Sequence, residues 1–241
     1  MCALTVPATR EFGHARAMIR VTRRGALQQA GAACMSAGAL ARLASAESTP
    51  NLRKITCLGD SMSDIHTLKD EAYPAWLSRY LAPIPVVSDG VEGNDVNAML
   101  ARCRPDGIHT WSRVHKPGSV TFVLAGINDI IFGGSSASEI AALLAELYGY
   151  LARHGSTVYP ITILPWGKSP YFRREREDVR VALNRLILRH PHAVNAELTM
   201  GDGAHPPNLR HEFDNGDGLH PGNLIGPQML SLTCTLALVP H

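Results

Sequence analysis

From residue 54 onward, short apolar runs alternate with longer stretches in which apolar residues return every three or four positions. The short runs, at 54–58, 85–87, 119–124, 157–162 and 193–195, are rich in β-branched and apolar side chains, which predicts five strands. The clearest periodic stretch, "SASEIAALLAELYGYLARHG" at 136–155, opens with Ser136 and Glu139 at capping-box spacing and stops at Gly155. Its residues Ile140, Leu143, Leu144, Leu147, Tyr148 and Leu151 fall on one face, so it predicts an amphipathic helix. A second helix is expected over 173–190, with Val179, Leu183, Leu186 and Ile187 turned inward and Pro191 ending it. A third closes the chain at about 224–238. Strands that alternate with helices imply parallel pairing through crossover connections, hence a three-layer α/β/α sandwich around a parallel five-stranded sheet.

The beginning of the chain has a different texture. "VTRRGALQQAGAACMSAGALARLASAES" runs from a basic start through an Ala/Gly-rich middle to a small-residue ending at Ala46, the order of a signal peptide. Arg23 and Arg24 give it a twin-arginine look. Residues 1–46 are therefore expected to be a leader and 47–241 the working domain, exported to the periplasm or outside the cell. The middle is too short and too weakly apolar for a permanent span of about 20 residues. It also lacks the clean stripe of an amphipathic first helix.

Composition narrows the class. A chain of 241 residues, 45% apolar and 18% charged, is sized and balanced for one ordinary globular domain. A formal charge of +2 gives no basic footprint for nucleic acid. The five cysteines, at 2, 34, 57, 103 and 234, contain no paired C-x-x-C, so neither a zinc site nor a dense disulfide framework is readable. Cys57, inside the first strand, reads as a small core residue. His190 and His192 flank a proline without ligand spacing, and no metal is assigned.

Candidate chemistry clusters at the ends of the strands. "GDSMS" follows the first, "SDGVEGND" the second, "LAGINDI" the third, and "NGDGLHPGN" lies in the last loop before the terminal helix. Open parallel sheets gather such loops along one edge. Gly-Asp-Ser is also ordinary turn chemistry, and Asn128 and Gly93 taken singly could cap or turn the chain. Acyl transfer by a serine needs a base, a carboxylate that orients the base, and donors for the oxyanion. The chain offers one candidate for each: Ser61 as nucleophile, His220 as base, and Asp217 as its orienting group. The N–H groups of Ser61 and Gly93 and the Asn128 amide would form the oxyanion hole.

These blocks resemble the SGNH, or GDSL, hydrolase family. Ser61 in "GDSMS" matches the family's nucleophile block, with Met62 where Leu is common. Gly93 in "GVEGND" and Asn128 in "GIND" match its two oxyanion blocks, and Asp217 and His220 in "DGLHP" its last. The resemblance extends from about residue 55 to 230 and takes in "YPAWLSRYL" and "TILPWG". It implies a flavodoxin-like fold and a serine esterase that needs no cofactor and acts on small-molecule, lipid or glycan esters, short acyl or acetyl esters first. A lysophospholipase or thioesterase of the same fold, or an acyl- or glycan-binding protein without turnover, are the alternatives. No G-x-S-x-G is present, so the α/β-hydrolase elbow is not the match.

Two further features stay open at this level. Trp166, Tyr171 and Phe172 follow the fourth strand, where they could stack on a sugar or simply pack. Lys168, Arg173, Arg174 and Arg176 interleave with Glu175, Glu177 and Asp178, the pattern of a solvated helix start. The chain also holds a second Asp-x-x-His pair, Asp202 and His205 in "GDGAHPP". The pair at 217 and 220 stands directly before the terminal helix that would anchor it, so His205 is expected at a pocket rim or on the surface.

Overall fold

A computed structural model describes residues 52–65, 72–104 and 119–239. The expected leader, with Arg23, Arg24, Cys2, Cys34 and Ala46, lies outside the described residues. The strands are β1 Ile55–Gly59, β2 Val86–Gly90, β3 Ser119–Leu124 and β4 Ser156–Pro160, all parallel, in the order β2-β1-β3-β4. The helices are α1 Tyr73–Tyr80, α2 Val96–Cys103, α3 Ala137–Arg153, α4 Arg174–Ile187, α5 Ala196–Met200 and α6 Ile225–Ala237. Helices α2, α3 and α4 pack side by side, and α6 packs on both α1 and α5, which gives the two helical layers of the sandwich.

The strand order is that of the flavodoxin-like class, lacking a full fifth strand. The expected strand at 193–195 contracts to one parallel bridge between Ile161 and Val194. Its neighbours are already committed: the Ala193 N–H bonds back to His190 O at 3.0 Å, and the Asn195 side chain caps α5 at the Leu198 N–H, 3.2 Å away. The second strand runs longer than expected, through Ser88, Asp89 and Gly90, because an edge strand tolerates half-buried polar residues. Helix α3 has both halves of its capping box, and α4 ends before His190, as Pro191 demands of the residue ahead of it.

Every residue of β1 and β3 is buried, so these two central strands carry the core between the helical layers. Ile55, Leu58, Phe122, Leu147, Trp166 and Leu230 are at most 2% exposed. Cys57, Cys103 and Cys234 are buried free thiols, and burial pushes Cys57 up to about 12, consistent with packing residues. No helix among the described residues is long and apolar enough to cross a membrane. Gly59 of β1 is level with Gly90 of β2 and Leu124 of β3, so the loops after these strands emerge together at one edge.

Candidate active site

Ser61 opens a single 3-10 turn, Ser61–Ser63, directly after β1. Asp60 caps that turn, its Oδ1 accepting the Met62 N–H at 3.0 Å. The turn fits because its neighbours lack side chains. A Cβ on Gly59 would come within 2.4 Å of Ser63 Oγ, and one on Gly90 within 2.2 Å of the Ser63 carbonyl carbon. Ser88 Oγ donates to Ser63 O at 2.6 Å and fastens the turn to β2. Asp60 is fully buried, and its Oδ2 has no hydrogen-bond partner among the described residues. Burial pushes its carboxyl up to about 6, against the downward pull of the Met62 N–H and of His220.

The loop before α6 brings the other two members in. Ser61 Oγ lies 2.8 Å from His220 Nε2, and His220 Nδ1 lies 2.6 Å from Asp217 Oδ2. The other carboxylate oxygen of Asp217 accepts the N–H groups of Leu219 and His220, each at 2.8 Å. Partial burial raises the Asp217 carboxyl, but the hydrogen bonds from the His220 backbone and ring and from Leu219 outweigh it and hold it below the usual range. The loop is tied to itself through Asp214 Oδ1, which accepts from Gly216 and Gly218 at 2.9 Å. It also presses on the loop after β4: a Cβ on Gly218 would lie 2.5 Å from the Lys168 carbonyl carbon.

Gly93 sits in the turn after β2 with φ of +74°, exposed, and a Cβ there would meet nothing within 4 Å. Asn128 follows β3, and its Nδ2 donates to Asn94 O at 2.9 Å, which joins the two candidate donor loops. An amide nitrogen carries two hydrogens, so this bond leaves one available. Beside it, the buried Asp129 carboxylate accepts the Val96 N–H at 3.2 and 3.3 Å and fixes the start of α2.

The remaining expectations divide. Trp166 is fully buried, its Nε1 donating to Glu177 at 2.7 Å, so it packs and does not stack on a ligand. Tyr171 is exposed and meets the exposed Phe132 ring edge-on, with centroids 5.7 Å apart. Glu177 departs from the solvated helix start expected of its segment: it is buried and paired with the equally buried Arg180, which also binds Glu197. The exposed pair Arg174 and Asp178 does fit that expectation. Asp202 and His205 are both exposed, and His205 lines a separate groove of about 640 Å³ with Arg174, Asp178 and Arg185. No group of three or more His, Cys, Asp or Glu among the described residues is arranged to hold a metal.

Asp60 and Asp129 adjoin the candidate residues of the sequence, but their burial, which gives them their roles, is not legible from residue identity. Nothing local flags Arg102 or Phe132, whose surroundings are set only by the tertiary fold.

A parallel α/β/α sandwich with a Ser–His–Asp relay at the carboxyl edge of its sheet defines a serine hydrolase. The chain belongs to the GDSL-like lipase/acylhydrolase family, whose model matches residues 57–224. No curated protein matches it. Solved structures do. A GDSL-like lipase from Bacteroides thetaiotaomicron superposes with a TM-score of 0.61 at 18% identity, over 83% of this chain and 94% of that one. A member of the lipolytic G-D-S-L family from Veillonella parvula gives 0.60 at 15% identity, over 75% and 94%. The acetylxylan esterase of Geobacillus stearothermophilus gives 0.56 at 16% identity, over 78% and 95%. At such identities these likenesses speak to the fold.

Proposed function

We propose that this hydrolase cleaves short acyl esters, acetyl esters first, through an acyl-enzyme on Ser61. The observation that carries the reading is the unbroken relay from Ser61 Oγ through both nitrogens of His220 to Asp217, at 2.8 and 2.6 Å. His220 Nε2 accepts the hydroxyl proton as Ser61 Oγ attacks the ester carbonyl. The Asp217 carboxylate keeps the Nδ1 proton in place and stabilises the imidazolium that forms. The tetrahedral oxyanion receives hydrogen bonds from the N–H groups of Ser61 and Gly93 and from the Asn128 amide. His220 then protonates the departing alkoxide, the carbonyl reforms, and the acyl group remains on Ser61. A water, deprotonated by the same nitrogen, releases the carboxylic acid and returns the proton to Ser61.

The preference for short acyl groups is supported by the acetyl esters that two of the similar folds are named for. Phe132, four residues past Asn128, and the Tyr171 ring it meets are both exposed, and we propose this corner as aromatic surface for the alcohol portion of such a substrate. Hydrolysis of p-nitrophenyl acetate and octanoate tests it: kcat/KM should favour the acetate by about 10-fold or more, the scale of even one methylene that a short acyl pocket does not accommodate. A preference for octanoate would move the enzyme to the lysophospholipase or thioesterase class.

We further propose that residues 1–46 export the enzyme, on the basic, small-apolar, Ala-x-Ala order of that segment. N-terminal sequencing of exported protein should begin at Glu47, and an intact leader on exported material would contradict it.

A further inference from the structure

The last turn of α2 carries a guanidinium to which the relay above gives no part. The Arg102 side chain is 10% exposed, and all three of its nitrogens donate. Nε reaches Asn94 Oδ1 at 2.9 Å and Nη2 reaches Gly59 O at 3.2 Å. Nη1 pairs with the Asp89 carboxylate, and both terminal nitrogens lie 3.3 Å from Asp89 O. These acceptors come from the end of β1, the end of β2 and the turn that follows β2. Gly59 is two residues ahead of Ser61, and Asn94 is next to Gly93. Asn94 then spends its own carbonyl on the Asn128 amide. One planar fork thus holds residues within two positions of Ser61 and of Gly93 and, through Asn94, the Asn128 amide.

The helix that bears Arg102 is itself anchored. Its first N–H groups are taken by Asp129 and by Asp95, the latter accepting from Ala98 at 2.7 Å. Since Asp129 directly follows Asn128, α2 begins at one oxyanion loop and returns its last turn to the other.

We propose that Arg102 is a positioning residue of the oxyanion hole, holding the Ser61 turn, the Gly93 turn and Asn128 at fixed spacing before charge develops on the substrate. The inference rests on the oxyanion assignment above. Donors set in advance need no reorganisation in the transition state, which is where their contribution to rate lies. Asp89 neutralises the guanidinium, so the fork spans two strand ends and the turn after β2 without leaving an unpaired buried charge. A lysine could keep the pair with Asp89 but, as a compact point charge, could not reach Asn94 and Gly59 at once.

The test is a kinetic cycle on p-nitrophenyl acetate with Arg102→Lys, Asn128→Ala and the double variant, and with Asn94→Ala as a second probe that leaves the Arg102–Asp89 pair intact. Arg102→Lys should lower kcat by about 10- to 100-fold, the scale of a small misplacement of catalytic groups, with KM and the melting temperature close to wild type. The double variant should lose less than the product of the two single losses, because Arg102 acts partly through Asn128. Asn94→Ala should lower kcat in the same direction. Wild-type kcat in both Arg102→Lys and Asn94→Ala, or losses that multiply fully, would overturn the role of Arg102 while Asn128→Ala still impairs turnover. Unimpaired Asn128→Ala would overturn the oxyanion assignment itself.

Discussion

The loops at 202–205 and 217–220 start from nearly the same words, "GDGAHPP" and "GDGLHPG", and end in different places. In both, the aspartate folds back on its own loop, Asp202 Oδ1 onto Ala204 N–H at 2.9 Å and Asp217 Oδ1 onto Leu219 N–H at 2.8 Å. The second oxygen decides the outcome. Asn208 donates to Asp202 Oδ2 at 2.9 Å, its N–H bonds to Oδ1 at 3.0 Å, and a bridge between Gly201 and Leu209 closes the hairpin. Asp217 Oδ2 meets no such competitor among the described residues and takes the His220 ring. Asp-x-x-His therefore specifies an aspartate turn. Whether it becomes half of a relay depends on what stands a few residues further on and on the distance to a serine 159 residues away.

The largest expected effect separates the two histidines. His220→Ala should lower kcat/KM by about 10⁴-fold or more, as loss of a triad base does, whereas His205→Ala should stay within about two-fold. Asp217→Asn should follow with a smaller but still large drop in kcat, since the ring then loses its tautomer control, and Asp202→Asn should leave kcat alone. Steady-state kinetics on p-nitrophenyl acetate, with circular dichroism to show folding, checks all four. A folded His205→Ala enzyme without activity would break the comparison.

A subtler contrast lies in pH. Asp202 and Asp217 are both held below the usual carboxylate range: partial burial pushes each up, and hydrogen bonds from Asn208 or from His220 and Leu219 more than reverse it. Their contribution to stability is present above the unfolded value of about 4 and is lost as pH falls through their folded values. Asp60 has the opposite sign. With its carboxyl pushed up to about 6 by burial, the native state binds the extra proton, so stability falls as pH rises from about 4 to about 6. Asp60→Asn keeps an oxygen for the Met62 N–H and removes the charge. Urea melts across that window should show the decline in wild type and a flatter profile in the variant. An identical decline in both would reject the account of Asp60.

What was legible in the sequence followed from local rules. The capping box of α3, the parallel alternation and the order of the four chemical blocks all depend on spacing along the chain. The pattern predicts a full fifth strand because Val194 has a strand-like side chain, but its neighbours are claimed by a turn and a helix cap. Glu177 lies in a charged run whose pattern predicts exposure, but Trp166 and Arg180 both donate to its carboxylate and the Ile163 carbonyl holds Arg180 in turn, a polar network no local pattern encodes. Arg102 escapes for the same reason: its three partners come from the ends of β1 and β2 and from the turn after β2, which only the tertiary fold brings together. Of the site, the chemistry could be read and the scaffolding that spaces it could not.

The central claim is that Ser61 is activated by His220 and not by the look-alike at His205. Labelling with a fluorophosphonate, followed by mass spectrometry of the adducted peptide, addresses it directly. The account predicts one adduct, on Ser61, that forms at wild-type rate in His205→Ala and is nearly abolished in folded His220→Ala. An adduct on another serine, or labelling of Ser61 that proceeds unchanged without His220, would contradict it.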